Sequence, residues 1–136
     1  MTGPPKPYPC ASCPYRCDVP SGVWAEEEYA KLPEYDRSTP EQPMGVFVCH
    51  QQDDTVCSGW AGTHDGEHLI ALRMAVVTGS MSPEDVDATI DYVSPVPLFE
   101  SGTAAAAHGL ADMETPPPEA ARIWRKIENR RDRRAG

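Results

Sequence analysis

The chain has no apolar run near the 18 or so residues that a membrane span needs, so no membrane partner is expected. Its opening stretch, MTGPPKPYPC, lacks the apolar segment of a secretory leader. Phenylalanine is scarce, with two in 136 residues, and hydrophobic residues make up only 40% of the chain. A domain this small buries a low fraction of its surface, so apolar packing alone is a weak basis for the fold. Also missing are a G-x-S-x-G elbow, a Walker lysine loop and a dinucleotide-binding glycine pattern. His64-Asp65-Gly66-Glu67-His68 carries two histidines four apart, but the Glu is misplaced for H-E-x-x-H and Gly66 interrupts a helix. That stretch reads as a solvated loop, Glu26–Glu28 as a charged helix face, and Asp53-Asp54 as too little for a cation site. No catalytic residue is assigned, and a non-enzymatic role is expected.

What the chain does have is cysteine. Five cysteines, at positions 10, 13, 17, 49 and 57, all fall in the N-terminal part. An odd count without a secretory leader points to the reducing cytoplasm, where thiols stay free or bind metal. Cys10-x2-Cys13 is a knuckle in which one tight turn aims two thiolates at one ion. Cys49-His50-x6-Cys57 is a looser second pair. Together with Cys17 and His50 there are six candidates for four positions. The pairing favours Cys10, Cys13, Cys49 and Cys57. Cys17 reads as an ordinary thiol, and His50 as readily as a hydrogen-bonding neighbour as a ligand. Two knuckle-like pairs suit a closed tetrahedral Zn²⁺ site, with an iron–sulfur cluster as the alternative cofactor. A thioredoxin-like redox pair fits poorly, because Pro14 and the turn-rich run to Gly22 leave no helix for the first Cys to open.

Charge is unevenly distributed. The whole chain is −9, yet residues 122–136 hold seven basic and two acidic side chains, a net +5, which leaves −14 on the rest. An acidic body repels phosphates from most of its surface and argues against broad, non-specific nucleic-acid binding. A weak contact to nucleic acid or an acidic partner through Arg125, Arg130, Arg131, Arg133 and Arg134, with Trp124 anchoring or stacking, is the sharper expectation for the tail. A solubilising helix folded back on the acidic surface is the blander one.

Several motifs act in combination: Cys10-Ala11-Ser12-Cys13-Pro14-Tyr15-Arg16, Pro20-Ser21-Gly22-Val23-Trp24, Glu28-Tyr29, Phe47-Val48-Cys49-His50-Gln51 and Cys57-Ser58-Gly59-Trp60. Together they resemble a domain family of unknown function found in small proteins of actinobacteria and their phages. The resemblance spans roughly residues 8–80. It implies that Cys10, Cys13, Cys49 and Cys57 recur as a set, while the position of Cys17 is usually not cysteine. It implies no activity.

Local signals place these motifs. Residues 1–9 read as a proline-rich extended arm, and Ser21 as the N-cap of a helix running to Leu32, with Val23, Trp24, Tyr29 and Ala30 facing inward. Residues 45–49 read as a short strand, and residues 67–78 as the core helix, with Leu69, Leu72, Val76 and Ile70, Met74, Val77 at helical spacing before Gly79. Ser82-Pro83 opens a further helix to Asp91, residues 101–113 form another, and residues 119–134 a last one. The expected fold is therefore small, α+β and metal-centred, with short strands or knuckles around a four-cysteine site, three to five helices and a helical C-terminal half. Residues 1–80 form the metal-binding module, and residues 81–136 a helical extension with a basic end. The expected role is a zinc-structured interaction or regulatory module with a protein partner; the alternative is an iron–sulfur redox-sensing protein.

Overall fold

The structure is a computed structural model describing residues 1–49 and 54–135, with side chains through residue 133. It is rich in helix: α1 Glu26–Ala30, α2 Ser58–Thr63, α3 Ile70–Thr78, α4 Pro83–Ile90, α5 Gly102–Leu110 and α6 Pro118–Ala135. Single 3-10 turns lie at Leu32–Asp36, Thr39–Glu41 and Gly66–His68. Among the described residues β structure is confined to isolated bridges, Gly3 with Thr55, Arg16 with Leu98 and Val48 with Val56. The strand expected at residues 45–49 is thus one antiparallel bridge at Val48. Pairing ends at Cys57, the N-cap of α2, after which the chain turns helical at Ser58.

Local chemistry explains most helix boundaries. The Ser82 hydroxyl accepts from Asp85 N–H at 3.1 Å and the Ser101 hydroxyl from Ala104 N–H at 3.0 Å, capping α4 and α5. Gly79 closes α3 in the left-handed conformation, φ 75°. The first helix departs from expectation. Gly22 has φ +75°, which no helix accepts, and the Ser21 hydroxyl donates to Asp112 at 2.7 Å instead of capping. The segment therefore turns helical only at Glu26, where the three glutamates occupy the first turn.

One apolar cluster joins the elements, from Cys13 through Tyr15, Trp24, Tyr29, Trp60, Leu69 and Met81 to Ile127. Within α3, Leu69 before it and Ala71, Leu72 and Ala75 in it face this core. Val76 and Val77, expected inward, are exposed at 41% and 78%. The helix turns Ala71, Leu72 and Ala75, not its valines, toward the core. Ala30 is exposed, while Val23, Trp24 and Tyr29 are buried as expected. The N-terminal arm is tied down: Thr2 N–H donates to Ser80 O, and Val56 N–H to Gly3 O. The C-terminal helix packs too, with Ala120 and Ile127 buried and Trp124 edge-on to Trp24 at 5.8 Å. Among the described residues no helix is long and apolar enough to cross a membrane.

Candidate metal centre

Two short pieces of backbone present the cysteines. In the first, Cys13 N–H donates to Cys10 O at 3.0 Å and Arg16 N–H to Cys13 O at 3.1 Å, folding residues 10–16 into a double turn. The Tyr15 N–H points back to the Cys13 sulfur. The Trp24 Nε1 donates to the Ser12 carbonyl at 2.8 Å and holds the middle of this knuckle. In the second, Cys49 N–H donates to Thr55 O at 2.9 Å and Cys57 N–H to Phe47 O at 2.8 Å, either side of the Val48–Val56 bridge. That register puts Cys49 and Cys57 on one face as diagonal cross-strand neighbours. The hairpin thereby brings together two cysteines that are far apart for a knuckle.

The thiols meet in pairs. The Cys10 thiol interacts with those of Cys13 and Cys49, and the Cys13 sulfur lies 3.9 Å from that of Cys57. The interactions thus run Cys49–Cys10–Cys13–Cys57. The Cys13 contact, with burial, pushes the Cys10 thiol up to about 11 against an opposing pull from Cys49. Contact with Cys10 lowers Cys13, but Cys57 and burial outweigh it and hold that thiol well above its ordinary value. Metal binding would have to displace these protons. Among the described residues no group of three or more His, Cys, Asp or Glu side chains is already set around a common metal position. The sulfurs are neighbours in series, not yet corners of one tetrahedron.

Gly59 makes this approach possible. A Cβ there would lie 2.3 Å from the Cys13 sulfur and 2.7 Å from the Tyr15 Cβ. The first turn of α2 therefore sits directly against the knuckle, and Trp60 beside it is fully buried. Two clefts open next to the sulfurs. One, of about 260 Å³, is lined by Cys10, Cys49 and Cys57 together with Lys6, Tyr8 and Arg130. The other, of about 380 Å³, is bordered by Cys49, Phe47, Glu28 and Arg131. The Arg131 guanidinium stacks 5.8 Å from the Trp24 ring and 5.4 Å from the Trp124 ring. The basic helix thus flanks the cysteines.

Of the other candidates, Cys17 is exposed and outside the sulfur contacts. His50 lies outside the described residues, as does the side chain of Arg134. His68 is exposed and bonds Asp65 at 2.9 Å, which fits the solvated-loop reading. His64 is different: its Nδ1 lies 2.9 Å from the Trp60 carbonyl and its Nε2 3.0 Å from Asp36. Asp36 also accepts from Gly102 N–H, Thr103 N–H and the Thr103 hydroxyl, at 2.9, 2.7 and 2.7 Å. It is a cap for α5 delivered from 66 residues away. No local signal announces this network, and none announces the Arg131 stack. Gly59 was visible only as the glycine of C-x-G-W. Among the described residues the Tyr15 hydroxyl and the Trp60 Nε1 are buried without a hydrogen-bond partner.

The chain belongs to a family of unknown function, DUF6283, whose profile matches residues 5–131. The match covers the cysteine knuckles and continues far into α6, well past the roughly 8–80 span of the sequence resemblance. No curated protein and no solved structure matches the chain.

Proposed function

For this member of a family of unknown function, we propose a zinc-structured interaction module in which Cys10, Cys13, Cys49 and Cys57 hold one Zn²⁺ as thiolates. The observation that carries the reading is that the four thiols are neighbours that interact from Cys49 through Cys10 and Cys13 to Cys57, with the last pair at 3.9 Å. Four thiolates about 2.3 Å from a tetrahedral ion lie about 3.8 Å apart, close to the 3.9 Å between the Cys13 and Cys57 sulfurs. An iron–sulfur cluster would need the same sulfurs spread around a wider inorganic core, which this close packing disfavours. Four thiolates also leave no open position for water or substrate, and the ion's work is then structural. The resemblance to actinobacterial and actinophage sequences with the same cysteine set agrees with this, and a reducing, cytoplasmic setting is part of the proposal. The binding half of the reading rests on the exposed cationic side of α6, carried on an acidic body.

The test is metal analysis of protein purified without oxygen, with an absorption spectrum of the same sample. One zinc per chain and a colourless solution are expected. A brown sample with iron and sulfide would replace zinc by a cluster, and a metal-free folded chain would overturn the proposal.

A further inference from the structure

We propose that the outward face of α6 binds the phosphate backbone of nucleic acid, an inference that rests on the interaction-module half of the reading above and not on its metal. The packing fixes which face this is. Ala120 and Ile127 are buried, Ile123 and Trp124 are half-buried against the core, and Arg131 lies over the Trp24 and Trp124 rings. At 3.6 residues per turn, the side opposite those anchors carries Arg122, Arg125, Lys126, Asn129 and Arg133. All five are exposed.

These cations are not consumed by the fold. Among the described residues Arg122, Arg125 and Lys126 make no ion pair or hydrogen bond, and Arg133 donates only to the Asn129 carbonyl of its own helix, at 3.4 Å. Arg122 stands three residues from Arg125 and four from Lys126, spacings at which like charges destabilise a helix. Of the three acids of the helix, Glu119 and Glu128 stand three residues from Arg122 and Arg125, but among the described residues neither forms an ion pair with them. A stripe about 16 Å long, with a cation at nearly every turn, matches a linear polymer of regularly spaced negative charge better than a single anion. The −14 of the rest of the chain repels such a polymer, so contact is confined to this ridge and should be weak and salt-sensitive. Arg131 leaves the contact set expected from sequence and becomes the clamp that orients it.

Deleting α6 would uncover Trp24 and remove Ile127 from the core, so substitutions on the outer face are the cleaner test. The intact chain is titrated by fluorescence anisotropy against labelled duplex DNA and duplex RNA at about 50 and about 200 mM salt. The same is done for the combined variant Arg122→Gln, Arg125→Gln, Lys126→Gln, Arg133→Gln, for Arg73→Gln as an exposed control on α3, and with polyglutamate as competitor. Expected are a log–log salt slope near −3.6 for four cations on duplex, and at least a tenfold loss at low salt in the combined variant with its melting curve unchanged. Arg73→Gln should bind as the parent does. Absent binding at low salt, an unaffected combined variant, or polyglutamate competing as well as nucleic acid would overturn the proposal, the last in favour of an acidic protein partner. Zinc is measured on every sample. Zinc retained without binding overturns this inference alone, and binding without zinc overturns the metal reading alone.

Discussion

The Trp24 indole donates through Nε1 to the carbonyl of Ser12, at 2.8 Å, from inside the turn between Cys10 and Cys13. The same indole carries the edge contact to Trp124 and lies under Arg131. One side chain therefore links the knuckle to the C-terminal helix. Replacing Trp24 by Phe keeps an aromatic ring but removes the donor to the carbonyl of buried Ser12, at a cost of about 1–3 kcal/mol. Denaturant unfolding should show that loss, and competition with a chelator should show weaker zinc binding. A change under about 0.5 kcal/mol, in the range of ordinary surface substitutions, would mean that the indole does not hold the knuckle.

Gly59 and Gly45 make a paired test of the close approach at α2. An alanine at 59 would put its methyl within 2.3 Å of the Cys13 sulfur, whereas one at 45 meets nothing within 4 Å. Gly59→Ala should destabilise by about 1–3 kcal/mol, as overpacked cores do, and should lower zinc content. Gly45→Ala should leave both unchanged. Equal behaviour of the two in thermal melts and metal analysis would show that the knuckle does not rest on α2.

Features with short-range causes were legible in the sequence. The cap at Ser82 and the stop at Gly79 act within a few residues of themselves. The sulfur neighbours were legible as well, since a two-residue gap and a hairpin both leave a spacing. Features decided by distant partners were not. Ser21 looked like a cap, but its hydroxyl is taken by Asp112 and Gly22 turns the chain away from a helix. Val76 and Val77 fitted a helical stripe, yet periodicity does not say which side a neighbour covers, and the alanine side of α3 is the covered one. The resemblance faded after residue 80, although the family extends to residue 131, because Trp124, Ile127 and Arg131 matter through Trp24 and not through any local motif.

Asp36 should make stability depend on acid. Burial pushes its carboxyl up, but hydrogen bonds from Thr103 and Gly102 and the contact with His64 outweigh this and hold it below the usual carboxylate value. A carboxyl depressed in the folded state stabilises fully above the unfolded value of about 4 and loses that contribution as pH falls through the folded one. Asp36→Asn should therefore be less stable than the parent at neutral pH, by about 1 kcal/mol, the scale of a lost helix cap. The difference should shrink in unfolding curves taken below about pH 4. A difference that stays constant from neutral to acid pH would assign the effect to shape and not to charge.

Substitution of each cysteine to serine should separate ligands from bystanders. Cys10→Ser, Cys13→Ser, Cys49→Ser and Cys57→Ser should each cost the zinc and lower the melting temperature sharply, because the binding energy of a structural ion is folding energy. Cys17→Ser, on an exposed thiol, should stay within about 0.5 kcal/mol of the parent and keep the metal. Serine in a buried thiol position carries its own cost, and Cys13 and Cys57 are both buried. The metal's share is isolated by repeating the series in a strong chelator. Stripped parent should melt far below the loaded parent, and the same substitutions should then cost much less. If the four variants lose as much stability in chelator as without it, the thiols matter through packing and not through an ion. Loss of zinc on Cys17→Ser with retention on Cys57→Ser would assign a different set of ligands.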